Sequence, residues 1–201
     1  MNKLEHTKIV LIDDPEYEII CSKIYKSLPD ARISYVLRIE NPDCSNKYQA
    51  KLESSHLYKT TEEKYLFHGT NSDYVVPILQ NGFKAELNRN SAYGRGTYLA
   101  KTAAYSKSYS QVSPYLYRTS NRNSQIQMDT PITYMFVCSA LLGKVGKFGS
   151  DQPIDSSIAD SGVDNFCNPE IYVIPDDDRV LPRYLVGLYS QGFVQDFYET
   201  N

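Results

Sequence analysis

A chain of 201 residues with 41% apolar side chains, ten glycines and ten prolines can fold as one domain with a sizeable core, and the composition excludes a disordered or collagen-like chain. The net charge of −3 gives no overall basic excess to hold nucleic acid nonspecifically, so only a local patch would serve. No apolar run approaches the ~20 residues of a membrane span, and Met1-Asn2-Lys3-Leu4-Glu5-His6 lacks the apolar stretch of a secretory signal, so a cytoplasmic or nuclear location and no membrane partner are expected.

The cysteines Cys21, Cys44, Cys138 and Cys167 form no Cys-x-x-Cys pair, and with three histidines no metal set emerges. Reduced thiols and no metal are expected. Tyrosine is abundant, at 18 residues, and tryptophan is absent. A tyrosine ring has a flat apolar face and a polar tip, which suits a stacked ligand, although most must simply pack.

In chain order, Lys8 to Ile12 is an aliphatic run that predicts a strand. Asp13-Asp14-Pro15 has the form of a helix start, and apolar residues from Tyr17 to Leu28 recur at helical spacing until Pro29-Asp30. Ile33, Tyr35, Leu37 and Ile39 alternate, which predicts a strand over Ala31 to Glu40 with one buried face. Asn41-Pro42-Asp43 breaks it, and Ser45 to Glu53 follows as a short polar helix. After a polar connection, Tyr65-Leu66-Phe67 is a strand ending in His68-Gly69-Thr70. A helix capped by Asn71 or Ser72 then runs towards Gln80-Asn81 with Gly82 as its stop, and Pro77 is awkward within it unless it starts late. Lys84 to Ala92 reads as a mobile loop.

Tyr93-Gly94-Arg95-Gly96-Thr97-Tyr98-Leu99-Ala100 carries two glycines but not the third of a dinucleotide-binding turn, and no buried strand precedes it. It is a glycine turn leading into a strand. Lys101-Thr102 opens a helix over Ala103 to Tyr109, on which Tyr105, Ser106 and Tyr109 share a face. A hydroxyl beside an aromatic plane suits a planar amide; core packing is the plainer alternative. Gln111 to Thr130 is a polar loop, Thr133 to Leu142 a buried strand, and Gly143 to Asp164 a second loop whose Asp151, Asp155, Asp160 and Asp164 read as solvated. Ile171 to Ile174 is a strand, Asp176-Asp177-Asp178 a turn, and Val180 to Leu188 a final strand that Pro182 makes an edge or bulged one.

Three segments taken together resemble the catalytic domain of the poly(ADP-ribose) polymerase family, and most of all its mono-ADP-ribosyltransferase branch. They are His68-Gly69-Thr70, the segment from Tyr93 to Ala100 with Ser106 and Tyr109, and Asn168 to Ile174 with Tyr184-Leu185-Val186. The likeness covers roughly residues 8–190 and includes the strand Ile33 to Asn41. It implies an α+β diphtheria-toxin-like fold, with two antiparallel sheets forming an NAD cleft flanked by short helices. It also implies a single catalytic domain over 1–201 without a helical regulatory subdomain. By the same likeness His68 would hydrogen-bond the adenosine ribose, with Thr70 close by. The Gly69 backbone and the Ser106 hydroxyl would hold the nicotinamide carboxamide, and Tyr98 and Tyr109 would sandwich the ring. Ala100 would complete the NAD-binding set. The loop 84–92 would cover the donor, and the loop before Ile171 would shape the acceptor site.

Polymerising members of the family carry a glutamate at the third motif position. Counting back from Tyr184, that position falls on Ile171 and not on Glu170. Neighbouring side chains of a strand point to opposite faces, so both cannot face the cleft; a one-residue bulge would exchange them. The expected triad is therefore His68, Tyr98, Ile171. An isoleucine neither orients a ribose hydroxyl nor acts as a base, so chain elongation should fail; what the resemblance of all three segments implies is transfer of one ADP-ribose to a protein acceptor, itself included, with NAD as substrate. The alternatives are an inactive module that binds NAD or ADP-ribose, and transfer to phosphorylated nucleic-acid ends.

Overall fold

The computed structural model describes residues 6–54, 63–88, 93–112, 132–147 and 158–190. The first strand, β1, is Thr7–Val10, and the first helix, α1, is Pro15–Tyr25. The Asp14 side chain accepts the Glu16 N–H at 2.9 Å, and Pro15 stands in the first turn, where its missing N–H has no helical partner to lose. Ile20, Cys21 and Ile24 form the buried face of α1.

Strand β2 (Ile33–Ile39) leads into α2 (Pro42–Ser54), so the expected break at Asn41-Pro42-Asp43 is itself the helix start. Asn41 is buried. Its Oδ1 accepts the Cys44 N–H at 3.2 Å, and its Nδ2 donates to the Leu79 and Gln80 carbonyls, both at 2.9 Å. One amide thus caps α2 and closes the far end of α3 (Ser72–Asn81). As expected α3 begins at its Asn71 cap, but it runs through Pro77 without starting late. The proline has no N–H to offer the carbonyl of Asp73, and both residues lie on the exposed side of the helix.

The remaining elements are β3 (Glu63–Thr70), β4 (Thr97–Ala100), α4 (Ala103–Lys107), β5 (Ile132–Leu141), β6 (Val145–Lys147), β7 (Ser161–Val163), β8 (Ile171–Ile174) and β9 (Val180–Tyr189). The strand order is β1-β2-β9-β5-β3-β4-β8-β7-β6. Two sheets were expected, but among the described residues the ladder is continuous through nine strands. Its narrowest link is between β3 and β4, a single pair, Phe67 with Ala100, and both residues are buried. All neighbours are antiparallel except β6 and β7.

Every residue of β5 is buried, because apolar layers cover both of its faces. Tyr134, Phe136 and Cys138 join Val75, Ile78, Leu79 and Phe83 around α3, while Met135 and Val137 join Ile20, Ile24 and Ala103 around α1 and α4. The period of two is therefore present but hidden in an unbroken apolar run.

Two other expectations change, and a third holds in one of its two forms. The stretch from Gly143 to Asp164 holds β6 and β7, each of three residues and too short to show a period. Asp160 is not simply solvated: it pairs with Arg179 at 2.9 Å and accepts the Lys144 N–H at 2.9 Å. Asp151 and Asp155 lie outside the described residues, as do 113–130 of the loop after Gln111. Strand β9 is central, between β2 and β5, and Pro182 sits at a bulge: Val137 pairs with Tyr184 and Cys138 with Pro182, leaving Arg183 without an opposite residue. The bulge lets Arg183 donate to Ser139 Oγ at 3.0 Å and reach Glu63 at 3.4 Å, a carboxylate that also accepts the Tyr48 hydroxyl at 3.0 Å.

Candidate active site

Strand β3 carries Phe67, His68 and Gly69 to the wall of a cavity of about 460 Å³. The other walls are Asn88, Tyr93, Tyr98, Leu99, Ala100, Tyr105, Ser106, Tyr109 and Ile171. Of the residues expected to form a site, His68, Gly69, Tyr98, Ala100, Ser106, Tyr109 and Ile171 thus converge. Thr70 does not line the cavity; it is 6% exposed and pairs with Tyr134 of β5.

His68 Nδ1 lies 2.8 Å from the Tyr98 carbonyl oxygen. A carbonyl only accepts, so Nδ1 carries the proton and the lone pair is on Nε2. The ring also meets the edge of Phe83, at 4.9 Å between centroids. Burial pushes the imidazole below its ordinary value, while the Tyr98 carbonyl works the other way by favouring the charged form. His68 is therefore neutral at neutral pH, with an acceptor nitrogen to offer. Protonation would convert that acceptor to a donor, so use of a ligand hydroxyl at this point is expected to be level near neutrality and to fail on the acid side. Stability has the same sign. Below the ordinary imidazole value of 6.5 the unfolded chain binds the proton that folded His68 refuses, so stability falls as pH falls through that value. Thermal melts and ligand titrations across an acid series check both, with His68→Ala removing the His68 contribution.

Gly69 is dictated by what lies against it. A Cβ there would meet the Ser106 carbonyl oxygen at 1.9 Å and Ser110 Oγ at 2.7 Å. The end of α4 therefore rests directly on the β3 backbone. This approach puts Ser106, 2% exposed, at the cavity wall with its Oγ buried and without a hydrogen-bond partner among the described residues. Such an orphaned hydroxyl costs stability unless something bonds to it.

The glycines of the Tyr93–Ala100 segment have structural causes. Gly94 has φ 87°, where other residues are strained, and a Cβ on Gly96 would lie 2.4 Å from Val173 Cγ1 of β8. The Tyr98 hydroxyl accepts the Tyr93 N–H at 2.9 Å and donates to the Gly94 carbonyl at 2.8 Å, and the Tyr93 ring stacks 6.3 Å from that of Tyr98. Tyr109 lies in the turn after α4, because the helix ends at Lys107, earlier than expected. Its hydroxyl is 3.2 Å from that of Tyr105, with the rings tilted at 5.5 Å, and this hydrogen bond leads the causes that raise Tyr105 to about 12.

Ile171 pairs with Ala100 and lines the cavity; Glu170 is not among the lining residues. Asp164 holds this point. Its Oδ1 accepts the N–H groups of Glu170 at 3.0 Å and Ile171 at 3.1 Å, and the Lys101 N–H donates to the Glu170 carbonyl at 2.9 Å. Asp164, expected as solvated, is a structural acceptor. No carboxylate stands among the described lining residues.

Asn88 and Tyr93 line the cavity without having been singled out. Asn88 sits in a polar stretch with no period to mark it. Tyr93 opens the glycine segment, which was its one signal. The expected loop over 84–92 is in its described part a tight turn, Ala85–Leu87, with Ala85 buried, and Asn88 Nδ2 donates to the Gly96 carbonyl at 3.1 Å. Residues 89–92 lie outside the described set.

The chemistry these walls offer is specific. They hold a buried hydroxyl beside a glycine backbone, tyrosine rings from two elements, and a neutral imidazole with a free lone pair. Among the described residues no three His, Cys, Asp or Glu side chains converge as a metal set, and no helix is long and apolar enough to cross a membrane.

Comparison with known proteins points the same way. A family model for the poly(ADP-ribose) polymerase catalytic domain matches residues 15–163. The chain is 32% identical over 183 residues to human protein mono-ADP-ribosyltransferase PARP14, covering 88% of this chain and 10% of that protein. It is 30% identical over 192 residues to mouse PARP11, covering 87% and 57%, and 27% identical over 184 residues to mouse PARP12, covering 85% and 24%. Both of these are also named protein mono-ADP-ribosyltransferases. The chain thus spans about a tenth of the first of these relatives and little more than half of the second.

Proposed function

This chain belongs to the poly(ADP-ribose) polymerase catalytic-domain family, and from that membership we propose that it transfers single ADP-ribose units from NAD to a protein acceptor, itself included, with release of nicotinamide. The observation that carries the reading is the orphaned Ser106 hydroxyl at the cavity wall beside Gly69.

In this reading Ser106 Oγ and the Gly69 backbone hold the nicotinamide carboxamide, and the rings of Tyr98 and Tyr109 take its faces. Stacking of this kind is worth ~1–3 kcal/mol per base in nucleic-acid complexes. The strand runs β1-β2-β9-β5-β3 and β4-β8-β7-β6 act as the two sheets of the cleft, meeting at Phe67 and Ala100. Nicotinamide leaves as the C–N bond to the ribose breaks, and the positive charge that builds on the ribose is met by an acceptor nucleophile. The protein supplies position: a fixed ring and a fixed ribose leave the scissile bond aligned. His68 Nε2 accepts a hydrogen bond from an adenosine ribose hydroxyl. Ile171 fills the third position with an apolar side chain, so nothing there activates the ribose hydroxyl that a second unit would need. Reaction stops after one unit, and the acceptor supplies its own base.

Ser106→Ala tests the carrying observation. Removing an unpaired buried hydroxyl should leave stability unchanged or raise it by about 1 kcal/mol. The same change should raise KM for NAD about tenfold, through loss of one hydrogen bond. Thermal melts and a nicotinamide-release assay measure the two. An unchanged KM would exclude Ser106 from the carboxamide. Binding of NAD without release by the unaltered protein would favour the inactive-module reading.

A further inference from the structure

The Asp176-Asp177-Asp178 turn joins β8 to β9, and the reaction as described makes no use of it. Asp177 nevertheless holds the segment that leads to the cavity wall. Its Oδ1 accepts the Ala85 N–H at 2.7 Å, and its other oxygen pairs with Lys84 Nζ at 3.5 Å. Ala85 is 1% exposed and opens the turn Ala85–Leu87, which delivers Asn88 to the cavity wall and to the Gly96 carbonyl. The turn is braced from behind. Asp176 pairs with Lys51 at 2.7 Å and accepts the Asp178 N–H at 3.1 Å, and Arg179 is held by Asp160 at 2.9 Å. A carboxylate mounted on such a frame gives a fixed point to whatever it binds.

We propose that Asp177 is a positioning residue for the donor: it pins the backbone at Ala85 so that residues 84–88 present Asn88 and the Gly96 turn to bound NAD. The proposal rests on the NAD reading above. The hydrogen bond, not the ion pair, does the holding. An amide donating to a carboxylate makes a charge-assisted bond of fixed geometry. The Lys84 and Asp177 side chains are 38% and 31% exposed, and a pair so open to water contributes little.

Three variants separate these parts: Asp177→Ala, Asp177→Asn and Lys84→Met. The first readout is hydrogen exchange of the Ala85 amide in the protein without NAD. It should speed up about tenfold or more in Asp177→Ala, by less in Asp177→Asn, which keeps an acceptor oxygen without the charge, and stay within about twofold in Lys84→Met. The second readout is the split of kcat and KM in nicotinamide release. Asp177→Ala should raise KM for NAD about tenfold with kcat within about twofold, and Asp177→Asn should recover most of the loss. Unchanged exchange at Ala85 would overturn the anchor, and so would a fall in kcat with KM unmoved, which is what a merely structural role gives. If the unaltered protein neither binds nor cleaves NAD, the NAD reading falls and takes the donor role of Asp177 with it. Exchange at Ala85 then still decides whether Asp177 pins the segment.

Discussion

Gly69→Ala is expected to abolish nicotinamide release and to destabilise the protein by about 1–3 kcal/mol or more. The added methyl would lie 1.9 Å from the Ser106 carbonyl oxygen and 2.9 Å from its carbonyl carbon. Both are backbone atoms, so no rotamer change relieves the clash. Either α4 moves off β3 or β3 shifts within its ladder with β5, where Gly69 pairs with Met135 and its neighbours are paired on either side. The ladder is the stiffer of the two, with a fully buried partner strand. The helix is a five-residue piece capped by the Thr102 side chain. It should therefore be α4 that moves, taking Ser106 and Tyr109 away from the ring they are assigned to hold. Thermal melts and nicotinamide release measure both effects. Turnover within about tenfold of the unaltered protein would contradict the assigned carboxamide site, because misplacement by about 1 Å is enough to cost a hundredfold.

His68→Ala is expected to lower kcat/KM for NAD about a hundredfold or more, through lost positioning of the ribose. Two contacts go at once: the acceptor at Nε2, and the Nδ1 bond to the Tyr98 carbonyl that ties β3 to β4 beside the single Phe67–Ala100 pair. His68→Gln separates them in part, since an amide can donate to that carbonyl without reproducing the ring. A glutamine variant that recovers stability but not activity places the loss in the ribose contact. Recovery of both would make His68 a tie between strands and no more.

Much of this was legible before any coordinate. The caps at Asp14 and Asn71, the alternation from Ile33 to Ile39, the apolar run of β5 and the His68-Gly69 strand end depend on neighbours within a few residues. So does the Tyr105, Ser106, Tyr109 spacing, which brought these three to one cavity. What the sequence concealed depends on partners far away in the chain. Asn41 capping two helices, Asp177 reaching Ala85 and Arg183 reaching Glu63 join residues 38, 92 and 120 positions apart. Asp160 and Asp164 looked solvated because a carboxylate bound to backbone N–H groups has the same letter as one in water. The strands β6 and β7 were too short for a period, and Pro77 is tolerated on the exposed side of α3, where Asp73, four residues before it, also lies. The choice between Glu170 and Ile171 came from counting back along the chain from Tyr184, across the turn that joins β8 to β9. In the structure, Ile171 is the one of the two that lines the cavity.

That choice is the centre of the account, and intact-mass spectrometry after incubation with NAD tests it most directly, on the unaltered protein beside Glu170→Gln. Separate single ADP-ribose increments are expected on both proteins, in equal yield, because Glu170 does not line the cavity. A ladder of long chains that disappears in Glu170→Gln would contradict it, putting Glu170 in the third position and making the protein a polymerase.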